Sequence, residues 1–177
     1  MITVKHISKS FADVQILKDV SFVFETGKTN LIIGKSGSGK SVLTKCIVGL
    51  FEPDEGEIFY DERKLSDLKP KARKEIRKEI GMLFQASALF DSLTVEENVA
   101  FPLNMFTKMT KEEISDRVNF CLNRVNIINK NQLFPSELSG GMQKRVAIAR
   151  AIAMQPKYLF CDEPNSGLDP KTAIVID

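Results

Sequence analysis

Gly34-Lys35-Ser36-Gly37-Ser38-Gly39-Lys40-Ser41 fits the pattern G-x-x-x-x-G-K-[ST], and its reading decides the fold. Before it, Thr29-Asn30-Leu31-Ile32-Ile33 is an apolar, β-branched run that predicts a buried strand. After it, Val42-Leu43-Thr44-Lys45-Cys46-Ile47-Val48 carries apolar residues at helical spacing. Strand, glycine loop and helix in that order distinguish a phosphate-binding loop from a Gly/Ser-rich surface turn.

The residue types suit a polyphosphate. Glycines let backbone N–H groups turn toward the oxygens with no Cβ in the way. The helix that starts near Lys40 adds the positive end of its dipole. Lys40 is expected to reach the β- and γ-phosphates of a nucleoside triphosphate, and the Ser41 hydroxyl to ligate Mg²⁺.

Composition narrows the remaining classes. At 177 residues the chain is one domain, or one core with an inserted subdomain. A net charge of +2 gives no global case for nucleic acid. The basic run Lys69 to Lys78 is broken by Glu75 and reads as a solvated helix face. The three cysteines, Cys46, Cys121 and Cys161, are far apart and lie in apolar segments, so they read as buried free thiols in a reducing cytosol. His6 is the one histidine, with no clustered cysteine for zinc. There is no signal-peptide pattern at Met1. No apolar run approaches the ~20 residues needed to cross a bilayer. A cytoplasmic protein is expected, reaching any membrane through a partner.

Residues 2–7 and 14–24 predict strands, and Pro53-Asp54-Glu55-Gly56 a turn before a short strand, Glu57–Tyr60. A charged helix follows from about Lys69, then a strand beginning at Ile80. Residues 94–155 predict mainly helix. Thr110-Lys111-Glu112-Glu113 is a capping box, and behind it Ile114, Val118, Cys121, Leu122 and Val125 share one face. A further helix starts after Gly140-Gly141 and runs to about Met154, before Gln155-Pro156. Tyr158-Leu159-Phe160-Cys161 is an apolar strand ended by Asp162-Glu163-Pro164. Strands alternate with helices at both ends, so the fold class is α/β with a largely parallel sheet and a helical insertion.

An aspartate at the carboxyl end of a neighbouring strand is what a phosphate-loop protein needs for its metal, and Asp162 supplies it. Adjacent side chains on a strand point to opposite faces. At the tip the chain can turn Glu163 toward the γ-phosphate, where it would polarise a water. Leu138-Ser139-Gly140-Gly141-Met142-Gln143 places a serine and two glycines at a helix start, a second anion-binding end.

This stretch resembles the LSGGQ signature of ATP-binding cassette (ABC) ATPases. The phosphate loop, Gln85 after a strand, LSGGM-Q, YLFCDEP and Ser166-Gly167-Leu168-Asp169 follow in the family's order over the whole chain. The resemblance implies a P-loop NTPase (RecA-like) core with an N-terminal antiparallel β subdomain and an inserted α-helical subdomain. Residues 1–84 and 157–177 would form the catalytic lobe, and 85–156 the helical part bearing the signature. It implies two cassettes packed head to tail, with ATP on the phosphate loop of one closed over by the signature of the other. By position, Phe11 would stack on adenine, and Gly34, Lys35, Ser36, Gly37, Ser38, Gly39, Lys40 and Ser41 would hold the phosphates. Ser41, Gln85 and Asp162 would serve Mg²⁺, with Gln85 sensing the γ-phosphate and reporting to a partner. Ser139, Gly140 and Gly141 would complete the site in trans, Glu163 would serve the attacking water, and Asp169 would cross the dimer interface. Met142 stands where the signature commonly has Gln, and its backbone can still serve.

The family also carries a histidine on a strand beyond the Asp169 loop, and this sequence ends at Asp177. The last core strands are therefore expected to be missing, and hydrolysis by this form to be weak or absent. The segment Gln85–Leu103 corresponds to the groove that receives a short helix of an integral membrane permease. Its wording looks like the ATPases of bacterial phospholipid-transport (Mla-type) systems, and amino-acid importers and lipoprotein-release ATPases share Asn98-Val99 and Pro102-Leu103. These imply a cytoplasmic subunit held on the inner face of the membrane by a permease. A soluble cassette in a non-transport role, such as iron–sulfur cluster assembly, is the alternative.

Overall fold

Alternating apolar residues turn the N-terminus into a strand, β1 (Ile2–Phe11), longer than the sequence predicts. It pairs antiparallel with β2 (Val14–Phe24) through a turn at Ala12-Asp13. Its other edge pairs with β3 (Glu55–Tyr60), which pairs with the short β4 (Arg63–Lys64), giving the order β2-β1-β3-β4. Strict alternation would bury residues 2, 4 and 6, yet the buried apolar residues are Ile2, Val4 and Ile7. The register shifts between Val4 and Ile7, and His6 takes a φ of +53°. This is a bulge: one extra residue puts Ile7 back on the inner face. Gly56 is the complement of the bulge. It has a φ of +91°, and a Cβ there would lie 2.3 Å from the His6 carbonyl oxygen.

The computed structural model describes residues 1–164 and divides into two units, Met1–Arg77 and the chain from Lys78 onward. In the first, α1 (Lys40–Ile47) follows the phosphate loop and α2 (Pro70–Lys78) follows β4. Tyr60 is fully buried, and its hydroxyl donates to the Ile47 carbonyl at 2.9 Å, tying β3 to the carbonyl end of α1.

The strand expected over Thr29–Ile33 is not formed. This stretch has no regular structure, and Leu31 and Ile33 are 79% and 86% exposed. A strand exists only where neighbours supply its backbone hydrogen bonds. Among the described residues no strand pairs with it. An apolar β-branched composition states a preference and does not provide the ladder.

In the second unit, β5 (Ile80–Leu83) and β6 (Tyr158–Cys161) pair in parallel, with Ile80 opposite Tyr158 and Leu83 opposite Cys161. Between them in sequence come α3 (Val95–Phe106), α4 (Lys111–Arg124), a single 3₁₀ turn at Pro135–Glu137 and α5 (Gly140–Ile152). Thr94 and Thr110 both close capping boxes, with Glu97 and Glu113 reaching back to the cap N–H at 2.8 and 2.7 Å. The three helices bury Val95, Val99, Val118, Cys121, Leu122, Val146 and Ala149 in one core. Cys46 and Cys121 are buried as expected, whereas Cys161 is exposed.

Candidate nucleotide-binding site

In the first unit, the exposed stretch Gly34–Ser38 turns at Ser36-Gly37, and the Ser38 N–H donates to the Lys35 carbonyl at 3.2 Å. Gly39 then caps α1 with a φ of +93°, and a Cβ there would stand 3.0 Å from both Ile16 and Leu17 side-chain carbons of β2. Glycine thus satisfies a left-handed turn and a close approach to the sheet at once. Lys40 and Ser41 open α1. The Lys40 ammonium donates to the carbonyls of Gly34 and Lys35, each at 3.0 Å, so it lies over its own loop. A phosphate oxygen would offer that ammonium charge-assisted bonds in place of neutral ones. Phe11 ends β1, 42% exposed, edge-on to Phe51 at 5.4 Å, with the Lys9 ammonium 5.5 Å from its ring centre.

In the second unit, the parallel register of β5 and β6 brings their carboxyl ends level, the edge at which open α/β sheets carry ligands. The Asp162 N–H donates to the Leu83 carbonyl at 3.0 Å, extending the ladder by one bond. Glu163 then takes a φ of +50°, which breaks the alternation that would set it opposite Asp162. With that turn its carboxylate Oε2 accepts from Gln85 Nε2 at 2.7 Å. Among the described residues no three His, Cys, Asp or Glu side chains gather into a metal site. A carboxylate such as that of Asp162 offers the hard oxygen that Mg²⁺ takes.

The signature stretch sits at the start of α5. Ser139 is the N-cap, its hydroxyl accepting from the Met142 N–H at 3.3 Å, and Gly140 and Gly141 form the first turn. Ser139 and Gly140 are exposed, and the space a Gly140 Cβ would fill is open. These are free N–H groups at a helix start, the arrangement that holds an anion.

Three side chains bind the polypeptide around Gln85; the sequence reading gives no role to Lys144 or Arg150 and meets Asn98 only in the shared pair Asn98-Val99. Lys144, 3% exposed, donates from Nζ to the carbonyls of Gln85 at 3.2 Å and Glu163 at 2.9 Å. Burial pushes its ammonium below the usual lysine range, while the Glu163 and Asp162 carboxylates push it back up. Arg150 donates to the carbonyls of Ala88 at 2.8 Å and Ser87 at 2.9 Å, two residues with positive φ. Asn98, fully buried, accepts from the Phe90 N–H and donates to the carbonyls of Phe90, Leu93 and Thr94. The signal for Lys144 is its place in the row Lys144, Ala147, Ala151 at i, i+3, i+7, a buried stripe beside the one formed by Val146, Ala149 and Ala153.

The structure therefore joins Gln85 to Glu163 in one unit and gathers Gly34–Ser41 in the other. Ser166-Gly167-Leu168-Asp169, including the expected interface residue Asp169, lies outside the described residues.

The model of the ABC transporter family matches residues 17–166. The methionine import ATP-binding protein MetN of Clostridioides difficile is 45% identical over 172 residues, 97% of this chain and 53% of that protein. The probable ribonucleotide transport ATP-binding protein mkl of Mycobacterium leprae is 42% identical over 169 residues, 96% of this chain and 49% of that protein. The chain spans about half the length of these curated relatives. Among solved structures, the dimeric, ADP- and Pi-bound post-hydrolysis state of the ATP-binding cassette MJ0796 superposes with a TM-score of 0.92 at 36% identity, covering 99% of this chain and 79% of that one. The cassette cbiO1 of Clostridium perfringens, part of the ABC transporter complex cbiONQ, gives 0.83 at 32% identity, covering 98% and 69%. A phosphate loop, a signature helix start and an Asp-Glu strand end, in a chain matched by the family model over residues 17–166, establish that this chain belongs to the ABC transporter family.

Proposed function

We propose that this chain is the ATP-binding, ATP-hydrolysing subunit of an ABC transporter, working as a head-to-tail pair beneath a separate membrane permease. The observation that carries the reading is the Gln85–Glu163 hydrogen bond of 2.7 Å, which sets the sensing amide against the carboxylate that would handle water. In this reading Phe11 stacks on adenine, and the Gly34–Ser41 backbone and Lys40 hold the phosphates. Ser139, Gly140 and Gly141 of the second copy close over them. Ser41, Asp162 and Gln85 would hold Mg²⁺, which would supply charge neutralisation for the phosphates. Glu163 orients the water and takes its proton, Asp169 lies at the interface, and Gln85–Leu103 receives the permease. No helix among the described residues is long and apolar enough to cross a membrane, which fits a subunit held at the cytoplasmic face by that permease.

The cargo follows the relatives rather than the wording of Gln85–Leu103. Those most similar in sequence carry names for methionine import and ribonucleotide transport, and none of those named here points to phospholipid. Methionine or another small polar solute is the favoured cargo, and phospholipid the second reading. One experiment tests both. The full-length protein is co-purified with the permease encoded beside it, and ATP turnover is measured with methionine or phospholipid on the substrate side. Stimulation by methionine supports the first, stimulation by phospholipid replaces it, and capture of soluble scaffold proteins instead of a permease overturns transport.

A further inference from the structure

Lys144 breaks the rule that charged side chains stay at the surface. It is 3% exposed, one turn into the helix that begins at Ser139-Gly140-Gly141, and the residues that continue its stripe, Ala147 and Ala151, are small. A buried ammonium must find acceptors or lose its charge. Lys144 finds two, the carbonyls of Gln85 and Glu163, which leave the sheet from β5 and β6. The Glu163 backbone stands at a φ of +50°, a conformation unfavourable for a non-glycine residue that persists only when its surroundings fix it. The same two residues meet again through their side chains. Lys144, Gln85 and Glu163 thus form a closed ring of three hydrogen bonds, two made by one ammonium.

We propose that Lys144 is a positioning residue: by binding the Glu163 and Gln85 carbonyls it holds the left-handed turn that aims the Glu163 carboxylate, and it builds that aim into the helix whose first turn is the signature. This rests on the reading of Glu163 as the group that handles water. Lys144 acts through the backbone carbonyls it binds rather than on nucleotide or water directly. Its effect is on the geometry of the chemical step and not on affinity.

The test is made in the full-length protein with Lys144→Met, Lys144→Arg and Glu163→Gln, alone and combined. Lys144→Met keeps most of the length and removes every donor. It is expected to lower kcat about 10- to 100-fold with the Kd for ATP within about twofold of the parent, since small misplacements of a reacting group cost that much. Lys144→Arg keeps the donors and is expected to recover most of the loss. Lys144→Met on top of Glu163→Gln is expected to add nothing, because both act through one carboxylate. If Lys144→Met does not fold, judged by circular dichroism, Lys144→Leu replaces it, a shorter side chain that likewise carries no donor. Parent-like kcat in whichever donor-poor variant folds, beside a stalled Glu163→Gln, overturns the role of Lys144 alone. So does an equal loss of ATP affinity and turnover. Normal turnover by Glu163→Gln overturns the reading of Glu163, and the Lys144 proposal with it.

Discussion

Gln85 and Glu163, 78 positions apart in sequence, meet side chain to side chain at 2.7 Å. The parallel pairing of β5 and β6 brings their backbones level, and the left-handed turn at Glu163 brings the carboxylate across. Glu163→Gln keeps the shape of that contact and removes the charge. It is expected to preserve ATP binding, stall hydrolysis by at least about 100-fold, the usual contribution of a general base, and trap the closed dimer. Single-turnover kinetics and size-exclusion chromatography with ATP would show it.

Lys40→Ala addresses the phosphate loop. In the proposed function, the ammonium that lies over the Gly34 and Lys35 carbonyls would donate to a phosphate. A hydrogen bond to a charged group is worth about 1.5–3 kcal/mol, so the Kd for ATP is expected to rise about 10- to 100-fold. Isothermal titration calorimetry measures it, and an unchanged Kd would remove Lys40 from the site.

Gly56→Ala tests the fit between β3 and the bulge of β1. The φ of +91° and a Cβ at 2.3–2.4 Å from two backbone oxygens leave no relaxed solution. A loss of at least about 2 kcal/mol is expected in urea unfolding, beyond the ~1 kcal/mol of the left-handed conformation alone.

Much of this was legible beforehand, and the exceptions share a cause. The face of α4 could be read because Thr110 and Glu113 mark its start, and Val118, Cys121 and Leu122 then fall at helical spacing. Capping and periodicity are local properties that survive in a bare sequence. Thr29–Ile33 could not, because a strand is made by its neighbours. Lys144 stands between the polar residues Gln143 and Arg145, and its burial depends on carbonyls that arrive from the ends of two strands distant in sequence. Family resemblance gives Gln85 and Glu163 separate roles and says nothing of their contact, whose geometry depends on the turn at Glu163.

Asp54 gives a pH test. Its carboxylate accepts from Lys9 Nζ and from the Ser10 N–H, both at 2.6 Å, joining the turn before β3 to β1. The Lys9 bond, then the Ser10 bond, holds the carboxyl below the usual aspartate range of 3.8. The sign follows from linkage. A folded-state pKa below the unfolded value adds stability that is present above 3.8 and lost as pH falls through the lower, folded value. Asp54→Asn is expected to flatten that acid limb, read as urea midpoints from neutral pH to about pH 2. An acid limb identical to the parent's would mean the contact adds nothing.

Asn98 holds the segment between Phe90 and Thr94: its Oδ1 accepts from the Phe90 N–H, and its two Nδ2 hydrogens are shared among three carbonyls, each at 3.0 Å. Asn98→Ala leaves those backbone groups without partners in a fully buried place, at a cost of about 2–3 kcal/mol. Hydrogen exchange is expected to rise first in residues 86–94, ahead of α4. Uniform exchange along both segments would count against a local role.

The grips of Lys144 and Arg150 on residues 85–88 have a mechanical meaning. Both stand on α5, six positions apart and so about 9 Å along its axis, on a rod about 20 Å long. A load on that loop is received at two points by a stiff lever rather than by a slack tether. Its far end is the exposed helix start at Ser139 and Gly140, where a small tilt of the rod becomes a displacement.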